Sequence, residues 1–358
     1  MRLSLIAATL LWLLPQMAAH ADPAGDRRIL QAELARLTAS ASPTPSVPEG
    51  HSIHPGEKNQ TLPAIRTALE GYGFVEPAAD RAPDPQFYDD GFAWQVRRFQ
   101  QEIGLVPDAI IGGETRKALR HQDADRLLML QQSLEQPDLP SKGRYVAVNL
   151  AAGQLRAVED GRTVVESRVV FGKKDSPSNT FSARIDAVWL NPSWVVPDSI
   201  VQKEFGGNAH IEKPGPANPL GPLLLELPNR YEIFLHYTNE PGLFERDIRA
   251  FSHGCIRVQQ IEAVARWLLG EDRWASEGMD AGLTKLATHR YTIDPTIAVY
   301  IGYRTATVAS TGQVIYHPDP YGLAQPPPPP EDAAADPANA AGQPPVQVGA
   351  AAPRPPAD

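Results

Sequence analysis

The chain contains a single cysteine, Cys255, among its 358 residues. One thiol cannot form an intramolecular disulfide, so the disulfide framework typical of small exported domains is excluded. Basic residues are not in excess either, because 33 Lys and Arg residues stand against 42 Asp and Glu residues, for a net charge of −9. Nucleic acid and anionic membranes recruit proteins through basic surfaces, so neither is expected to be the main partner. Recognition is expected to depend on a shaped groove instead.

Long apolar runs are lacking beyond the N-terminus. Arg2 supplies a positive charge, residues 3–14 form an apolar core, and Ala19-His20-Ala21 matches a small-x-small cleavage site. These are the parts of a secretory signal peptide, here over residues 1–21. No later segment approaches the about 20 apolar residues that a membrane helix needs. We therefore expect an exported protein in the periplasm, with no transmembrane segment after signal cleavage.

Helical patterns dominate the first part of the chain. Phe92, Val96 and Phe99 recur at helical spacing behind Asp89, which can cap a helix, and ahead of Gly104, which can end it. A segment rich in Pro and Ser over residues 41–55 is typical of a linker. Helices are predicted over residues 26–37, 62–70, 89–103, 114–120 and 122–136.

Strand patterns replace the helical ones after residue 142. Asp160-Gly161 is a strong hairpin signal between two β-prone runs. An apolar stripe over residues 261–269 predicts one helix directly after Cys255, and unpaired N–H groups at such a helix start favour a thiolate or a developing oxyanion. From residue 322 the chain is rich in Pro and Ala, which predicts a disordered, locally extended tail. Strands are predicted over residues 145–148, 154–158, 163–171, 183–190, 223–227, 231–235 and 298–303.

The lone thiol lies in a run that also contains imidazole and guanidinium groups, Ser252-His253-Gly254-Cys255-Ile256-Arg257, with His236 just upstream. A thiolate is the attacking form of cysteine, so a nucleophilic Cys255 requires a base or a positive neighbour. Histidine, with an ordinary pKa of about 6.5, can take the thiol proton and later return one. Taken singly, Cys255 is more often an inert core residue, His236 a packed histidine and Arg257 a surface ion-pair residue. Their joint occurrence favours a nucleophilic site.

This run, preceded by Leu235-His236-Tyr237-Thr238, resembles the active-site signature of the L,D-transpeptidases. Residues 191–197, 214–221 and 243–246 are similar to the larger Gram-negative members of that family. Residues 88–119 resemble the three-helix peptidoglycan-binding domain of wall enzymes. The resemblance implies an α+β fold class, with a small three-helix wall-binding-like domain and a β-rich catalytic domain with few helices. The expected division is a signal peptide over 1–21, an N-terminal segment and linker over 22–58, the helical domain over 59–121, a connecting helix over 122–142, the catalytic domain over 143–317 and a disordered tail over 318–358.

What the resemblance implies chemically is acyl transfer between peptidoglycan stem peptides, without a metal or a cofactor. Cys255 would attack the carbonyl of the third stem residue and expel the terminal D-alanine, leaving a thioacyl-enzyme poised for an amine acceptor. His236 would act as general base and then as general acid. The N–H groups of Gly254 and Cys255 would be the oxyanion donors. The other residues implied to contact substrate are Ser252, His253, Arg257 and Tyr237, with Arg257 a partner for a stem carboxylate.

Several alternatives stay open from the sequence. Family members differ in the bond they make: a 3-3 or 1-3 crosslink, a tether to an outer-membrane protein, or hydrolysis. Residues 199–214 are short for the lid insertion of the larger members. A non-catalytic wall-binding scaffold would need neither thiol nor base. A zinc hydrolase could use His236, His253 and Cys255, but their spacing fits poorly with familiar zinc sites.

Overall fold

The computed structural model describes residues 23–39, 47–196, 201–202, 206–208 and 210–324. All of them fall within one compact unit of the chain, Met1–Gln325. The predicted signal peptide, most of the predicted tail and part of the predicted lid region lie outside the described residues. No helix in the described ranges is both long enough and apolar enough to cross a membrane.

Helices form where the sequence patterns place them in the first part of the chain. Asp89 caps α3 by accepting a hydrogen bond from the Phe92 N–H at 2.8 Å, and Gly104 ends it with a φ of 91°. A Cβ at Gly104 would lie 1.9 Å from the carbonyl oxygen of Ala152, so this glycine allows the helix end to touch the β-rich part of the chain. The helices are α1 (Pro23–Ala39), α2 (Leu62–Gly71), α3 (Asp90–Ile103), α4 (Gly113–Ala118) and α5 (Asp123–Leu134).

The core of this helical unit is larger than the expected three-helix domain. Leu30 of α1 and Leu130 of α5 are buried in it, so the predicted connecting helix is part of the core. Ile53 is fully buried and pairs with Ile111, which corrects the interpretation of residues 47–55 as linker. A hairpin that follows the β-rich part also packs here, through Tyr316 and its neighbours. Apolar burial thus recruits segments from both sides of the predicted domain.

A sheet that closes on itself forms the second core. The strand order is β10-β8-β7-β4-β11-β1-β2-β3, and β3 pairs again with β10, so the ring has no free edge there; β9 extends the pairing of β3. The bounds are β1 (Arg144–Asn149), β2 (Gln154–Glu159), β3 (Arg162–Gly172), β4 (Phe181–Leu190), β5 (Trp194–Val195), β6 (Ile211–Glu212), β7 (Leu223–Glu226), β8 (Leu235–His236), β9 (Ala250–Ser252), β10 (Ile256–Val258), β11 (His289–Gly302), β12 (Ala306–Val308) and β13 (Val314–Tyr316).

Three helices follow β10: α6 (Ile261–Leu269), α7 (Glu271–Ser276) and α8 (Met279–Lys285), and a short 3-10 helix (Pro241–Glu245) precedes β9. The α+β class, a helical unit with a β-rich barrel-like unit, is confirmed. The strand predicted over residues 231–235 is reduced to β8, since Glu232 has a φ of 55° that interrupts extended backbone. The tail predicted from residue 318 begins too early, because Tyr321 packs against the barrel core and Ala324 is buried in the helical core.

Candidate active site

Two short parallel strands place the thiol and the imidazole. In the register of β8 and β10, Ile256 lies opposite Leu235 and Arg257 opposite His236. Register partners on paired strands share a face, so His236 and Arg257 point the same way, and Cys255 lies one residue before β10. Strand spacing and rise put the Cα atoms of Cys255 and His236 about 8 Å apart as diagonal neighbours. The fold therefore brings together the two residues that the sequence predicts as nucleophile and base.

The Cys255 thiol is partly exposed and donates to the backbone carbonyl of Glu232 at 3.7 Å. Among the described residues the thiol and the His236 ring share no hydrogen bond, which is common for catalytic pairs before substrate binds. Desolvation raises the pKa of the Cys255 thiol, although the Phe234 backbone and the Arg257 charge oppose this. The thiol is therefore protonated at rest, whereas the sequence led us to expect a poised thiolate.

The N–H groups of a helix start, which were expected to stabilise a thiolate or an oxyanion, are also absent at Cys255. Strand β10 lies between Cys255 and the first residue of α6, Ile261. An extended segment carries the chain away at about 3.3 Å per residue, so the N–H groups of α6 do not begin at the sulfur. The local environment of the thiol is instead set by β8 and by the turn before β10.

His236 is a buried, neutral imidazole. The side chain is 4% exposed, and its Nδ1 atom has no hydrogen-bond partner in the part of the chain described. Burial, together with the nearby positive charge of Arg257, lowers the pKa of His236 to about 4, against the opposing effect of backbone groups at Tyr237 and Leu220. A neutral ring with an open nitrogen can accept a proton at physiological pH, as a general base requires.

The turn from Ser252 to Cys255 is held by internal hydrogen bonds. Gly254 has a φ of 125°, which side chains disfavour, and its N–H donates to the Ser252 hydroxyl at 3.2 Å. That hydroxyl donates in turn to the Cys255 carbonyl at 2.5 Å, and Ser252 is buried. Ser252 therefore shapes the turn rather than facing substrate. The Gly254 N–H, expected as an oxyanion donor, is therefore already engaged, and the Cys255 N–H stays a predicted donor.

The remaining predicted site residues surround the turn. Arg257 donates from one of its guanidinium nitrogens to the Glu240 carboxylate at 2.9 Å. His253 is exposed, and its Nε2 lies 3.5 Å from the Lys173 ammonium nitrogen. Tyr237 is half-buried and packs against the ring of Phe244, 6.2 Å between centroids.

Three residues that sequence reasoning missed hold the same turn. Ser178 donates to the Gly254 carbonyl, Tyr321 binds the backbone at Ser178, and Arg249 anchors the strand that leads to Ser252. Ser178 follows the turn signal Ser176-Pro177, but nothing in the sequence links it to residue 254, which is 76 positions away. In the described ranges no three His, Cys, Asp or Glu side chains are grouped so that they could hold a metal ion.

Comparisons with known proteins identify the family of the chain. Residues 143–328, more than half of the 358, match the family of the L,D-transpeptidase catalytic domain. Residues 58–119 match the family "Putative peptidoglycan binding domain". A Haemophilus influenzae protein named "Putative L,D-transpeptidase" is 24% identical over 222 residues, which are 51% of this chain and 45% of that protein. The chain thus spans less than half the length of that curated relative.

Solved structures also align with the chain. An L,D-transpeptidase from Xylanimonas cellulosilytica has 19% identity and a TM-score of 0.26, covering 71% of this chain and 98% of its own. One from Stackebrandtia nassauensis has 16% identity and a TM-score of 0.32, covering 73% of this chain and 98% of its own. At such TM-scores these two matches add nothing to the fold described above.

Proposed function

Because the chain belongs to the family of the L,D-transpeptidase catalytic domain, we propose that it is a peptidoglycan L,D-transpeptidase with Cys255 as nucleophile and His236 as general base. One observation carries the proposal: a partly exposed thiol one residue before β10 and a buried, neutral imidazole on the paired strand β8 both lie near the charge of Arg257. A nucleophile and a base on adjacent strands of a closed sheet are held rigidly.

The proposed reaction has two acyl transfers. His236 takes the thiol proton as the Cys255 sulfur attacks the carbonyl of the third stem residue, and the carbonyl oxygen becomes an oxyanion facing the Cys255 N–H. The carbon–nitrogen bond to D-alanine then breaks, and the imidazolium gives its proton to the leaving amine. In the second step the side-chain amine of diaminopimelate on another stem attacks the thioester, loses a proton to His236 and returns the thiol.

Desolvation of the thiol and burial of the imidazole explain why the resting pair is neutral. The Cys255 pKa is raised and the His236 pKa is lowered, so the proton stays on sulfur until another interaction stabilises the ion pair. Bound substrate supplies that interaction by placing its carbonyl carbon next to the sulfur. The ionised pair then forms during attack, which protects the only thiol from unwanted chemistry between turnovers.

The proposal includes the helical unit and the location. A wall-binding role for residues 59–121 rests on the match of residues 58–119 to peptidoglycan binding domains. Export to the periplasm rests on the signal-peptide pattern over residues 1–21. Peptidoglycan stem peptides are then both donor and acceptor, joined by 3-3 or, less commonly, 1-3 crosslinks.

Mass spectrometry of the purified full chain tests the proposal. Incubation with a carbapenem, which we propose acylates the same thiol, is expected to add one adduct mass to the native protein and none to Cys255→Ala. His236→Gln is expected to slow adduct formation by about 10²–10⁴-fold, the usual contribution of a general base. Equal labelling of native and Cys255→Ala protein, or no labelling of folded native protein, would overturn the assignment.

Product analysis with tetrapeptide muropeptides decides between transfer and its alternatives. A crosslinked dimer that appears with the native chain and not with Cys255→Ala is the expected result. Cleaved stems without dimers would identify a hydrolase, and retention of wall binding with no thiol-dependent product would identify a scaffold. Inclusion of an outer-membrane protein with a free Lys side chain tests wall anchoring in the same assay.

A further inference from the structure

A buried hydroxyl outside the predicted site holds the peptide group that precedes the nucleophile. Ser178 donates from Oγ to the Gly254 carbonyl oxygen at 2.6 Å, and the same Oγ accepts the Gly172 N–H at 2.9 Å. Ser178 is 4% exposed. The hydroxyl therefore uses its only proton on the Gly254 carbonyl, and its position is fixed from the end of β3.

Tyr321 fixes Ser178 in turn. Its hydroxyl accepts the Ser178 N–H at 3.1 Å and donates to the Gly172 carbonyl at 2.7 Å. The Tyr321 ring stacks on Tyr303, 5.3 Å between centroids at an interplanar angle of 12°, and meets Phe171 edge-on at 5.7 Å. Tyr321 thus bridges two backbone groups on either side of the loop between β3 and β4, and aromatic packing holds it there.

The direction of the Cys255 N–H follows from these contacts. In a trans peptide the carbonyl of one residue and the N–H of the next point in opposite directions. With the Gly254 oxygen held on buried Ser178, the Cys255 N–H is directed away from Ser178. The neighbouring Gly254 N–H is engaged by Ser252, so the Cys255 N–H is the donor left at the turn. Gly254, with a φ of 125°, has the freedom to rotate this peptide group if the hydroxyl is lost.

We propose that Ser178, supported by Tyr321, is a positioning residue that orients the Gly254–Cys255 peptide so that the Cys255 N–H serves as oxyanion donor. This inference rests on the proposed function. Preorganised donors stabilise a transition state because they need no reorganisation during reaction. Ser178 itself touches no reacting atom, and its effect passes through the orientation of one N–H group.

Two reagents that modify the same thiol separate this role from a general structural one. Acylation by a carbapenem passes through an oxyanion, whereas alkylation by iodoacetamide is a displacement at carbon with no oxyanion. For Ser178→Ala we expect the maximal acylation rate to fall by at least about tenfold, below the 10²–10³-fold of an outright donor loss. The half-saturating carbapenem concentration and the iodoacetamide rate are expected to stay within about twofold of the native chain, because thiol access and ionisation are unchanged.

Matched variants complete the experiment. Ser178→Thr keeps the hydroxyl and is expected to recover most of the acylation rate, and Tyr321→Phe, which keeps the ring, is expected to show a smaller decrease of the same kind. Ser276→Ala makes the same chemical change at an exposed hydroxyl that bonds only to the Arg273 carbonyl, and should behave as the native chain. If Ser178→Ala does not fold, Tyr321→Phe decides the question through the ratio of the two rates.

The outcomes are distinct. Unchanged acylation in Ser178→Ala, or acylation and alkylation reduced by equal factors, would overturn the positioning role. Failure of the proposed function would show itself differently, as native protein that alkylates at Cys255 but is never acylated. Selective loss of acylation in both Ser178→Ala and Tyr321→Phe supports the proposal.

Discussion

The helical half of the molecule buries Arg66 and Arg116 and the barrel half buries Arg249, and the partners of Arg66 and Arg249 differ in kind. In the helical unit Arg66 lies between the carboxylates of Glu76 and Asp89. In the barrel unit Arg249, 1% exposed, donates to six backbone carbonyls, those of Gly104, Ala152, Gly153, Val169, Arg246 and Asp247. The helical unit thus contains an ionic cluster, whereas the barrel side of the site is held by neutral acceptors.

The difference determines how each region responds to pH. Burial raises the pKa of Glu76, and the pKa of the adjoining Asp89, which accepts hydrogen bonds from the Phe92 N–H and from Arg66, is lowered against the effect of desolvation. Carbonyls do not titrate, and although burial lowers the pKa of Arg249 to about 10, the guanidinium stays charged at neutral pH. The segment that carries Ser252 towards Cys255 is therefore anchored by contacts that acid does not change.

Removing each arginine gives the largest expected effect. Arg249→Met and Arg66→Met should each lower the free energy of unfolding by on the order of 3–5 kcal/mol at pH 7.5, because buried partners lose their donor or counter-charge. At pH 4 the loss of unfolding free energy caused by Arg66→Met should be smaller, because Glu76 and Asp89 can take up protons. The loss caused by Arg249→Met should stay the same, because its carbonyl partners do not titrate. Urea unfolding of both variants and the native chain at the two pH values measures this.

If both variants lost the same amount of unfolding free energy at pH 4 as at pH 7.5, or changed equally between them, the contrast between the two arginines would be contradicted. The exposed Arg36, which pairs with Glu33 three residues away, offers a control. Arg36→Met should change the unfolding free energy by less than about 1 kcal/mol at either pH, as exposed ion pairs do.

A smaller effect is expected from Glu76→Gln. The pKa of Glu76 is raised in the folded state above its ordinary value of 4.5. At pH values between these two pKa values the folded state therefore binds more protons than the unfolded state. The free energy of unfolding contributed by Glu76 is therefore fully present below 4.5 and is lost as pH rises. Glu76→Gln mimics the protonated form, and it should flatten the decline in urea midpoint between pH 5 and pH 8. A decline as steep as that of the native chain would show that Glu76 is not its source.

The smallest expected effect is kinetic and concerns the barrel side alone. Because desolvation raises the pKa of the Cys255 thiol above the ordinary 9.0, the rate of iodoacetamide alkylation should rise with pH with a midpoint above 9.0. Glu76→Gln should leave this profile unchanged, since the carboxyl belongs to the helical unit. A midpoint below 7 would instead show a resting thiolate and would remove the neutral-pair account of the site.

Local patterns were sufficient for much of the fold and for choosing the candidate nucleophile and base. Helix α3 was predictable because its cap at Asp89, its apolar stripe and its terminal Gly104 are all within one stretch of sequence. Cys255 and His236 were predictable because a lone thiol near imidazoles is chemically unusual. The helical core was underestimated, because α1 and the hairpin with Tyr316 join it only through long-range apolar burial.

The amino-acid order was enough to single out the candidate groups: one thiol, an upstream imidazole and a glycine next to the thiol. The protonation and the orientation of these groups follow from long-range packing. Protonation depends on how much solvent the folded chain removes, and the direction of an N–H depends on what holds the opposite carbonyl. Here that partner is Ser178, which the fold brings to Gly254 from 76 residues away.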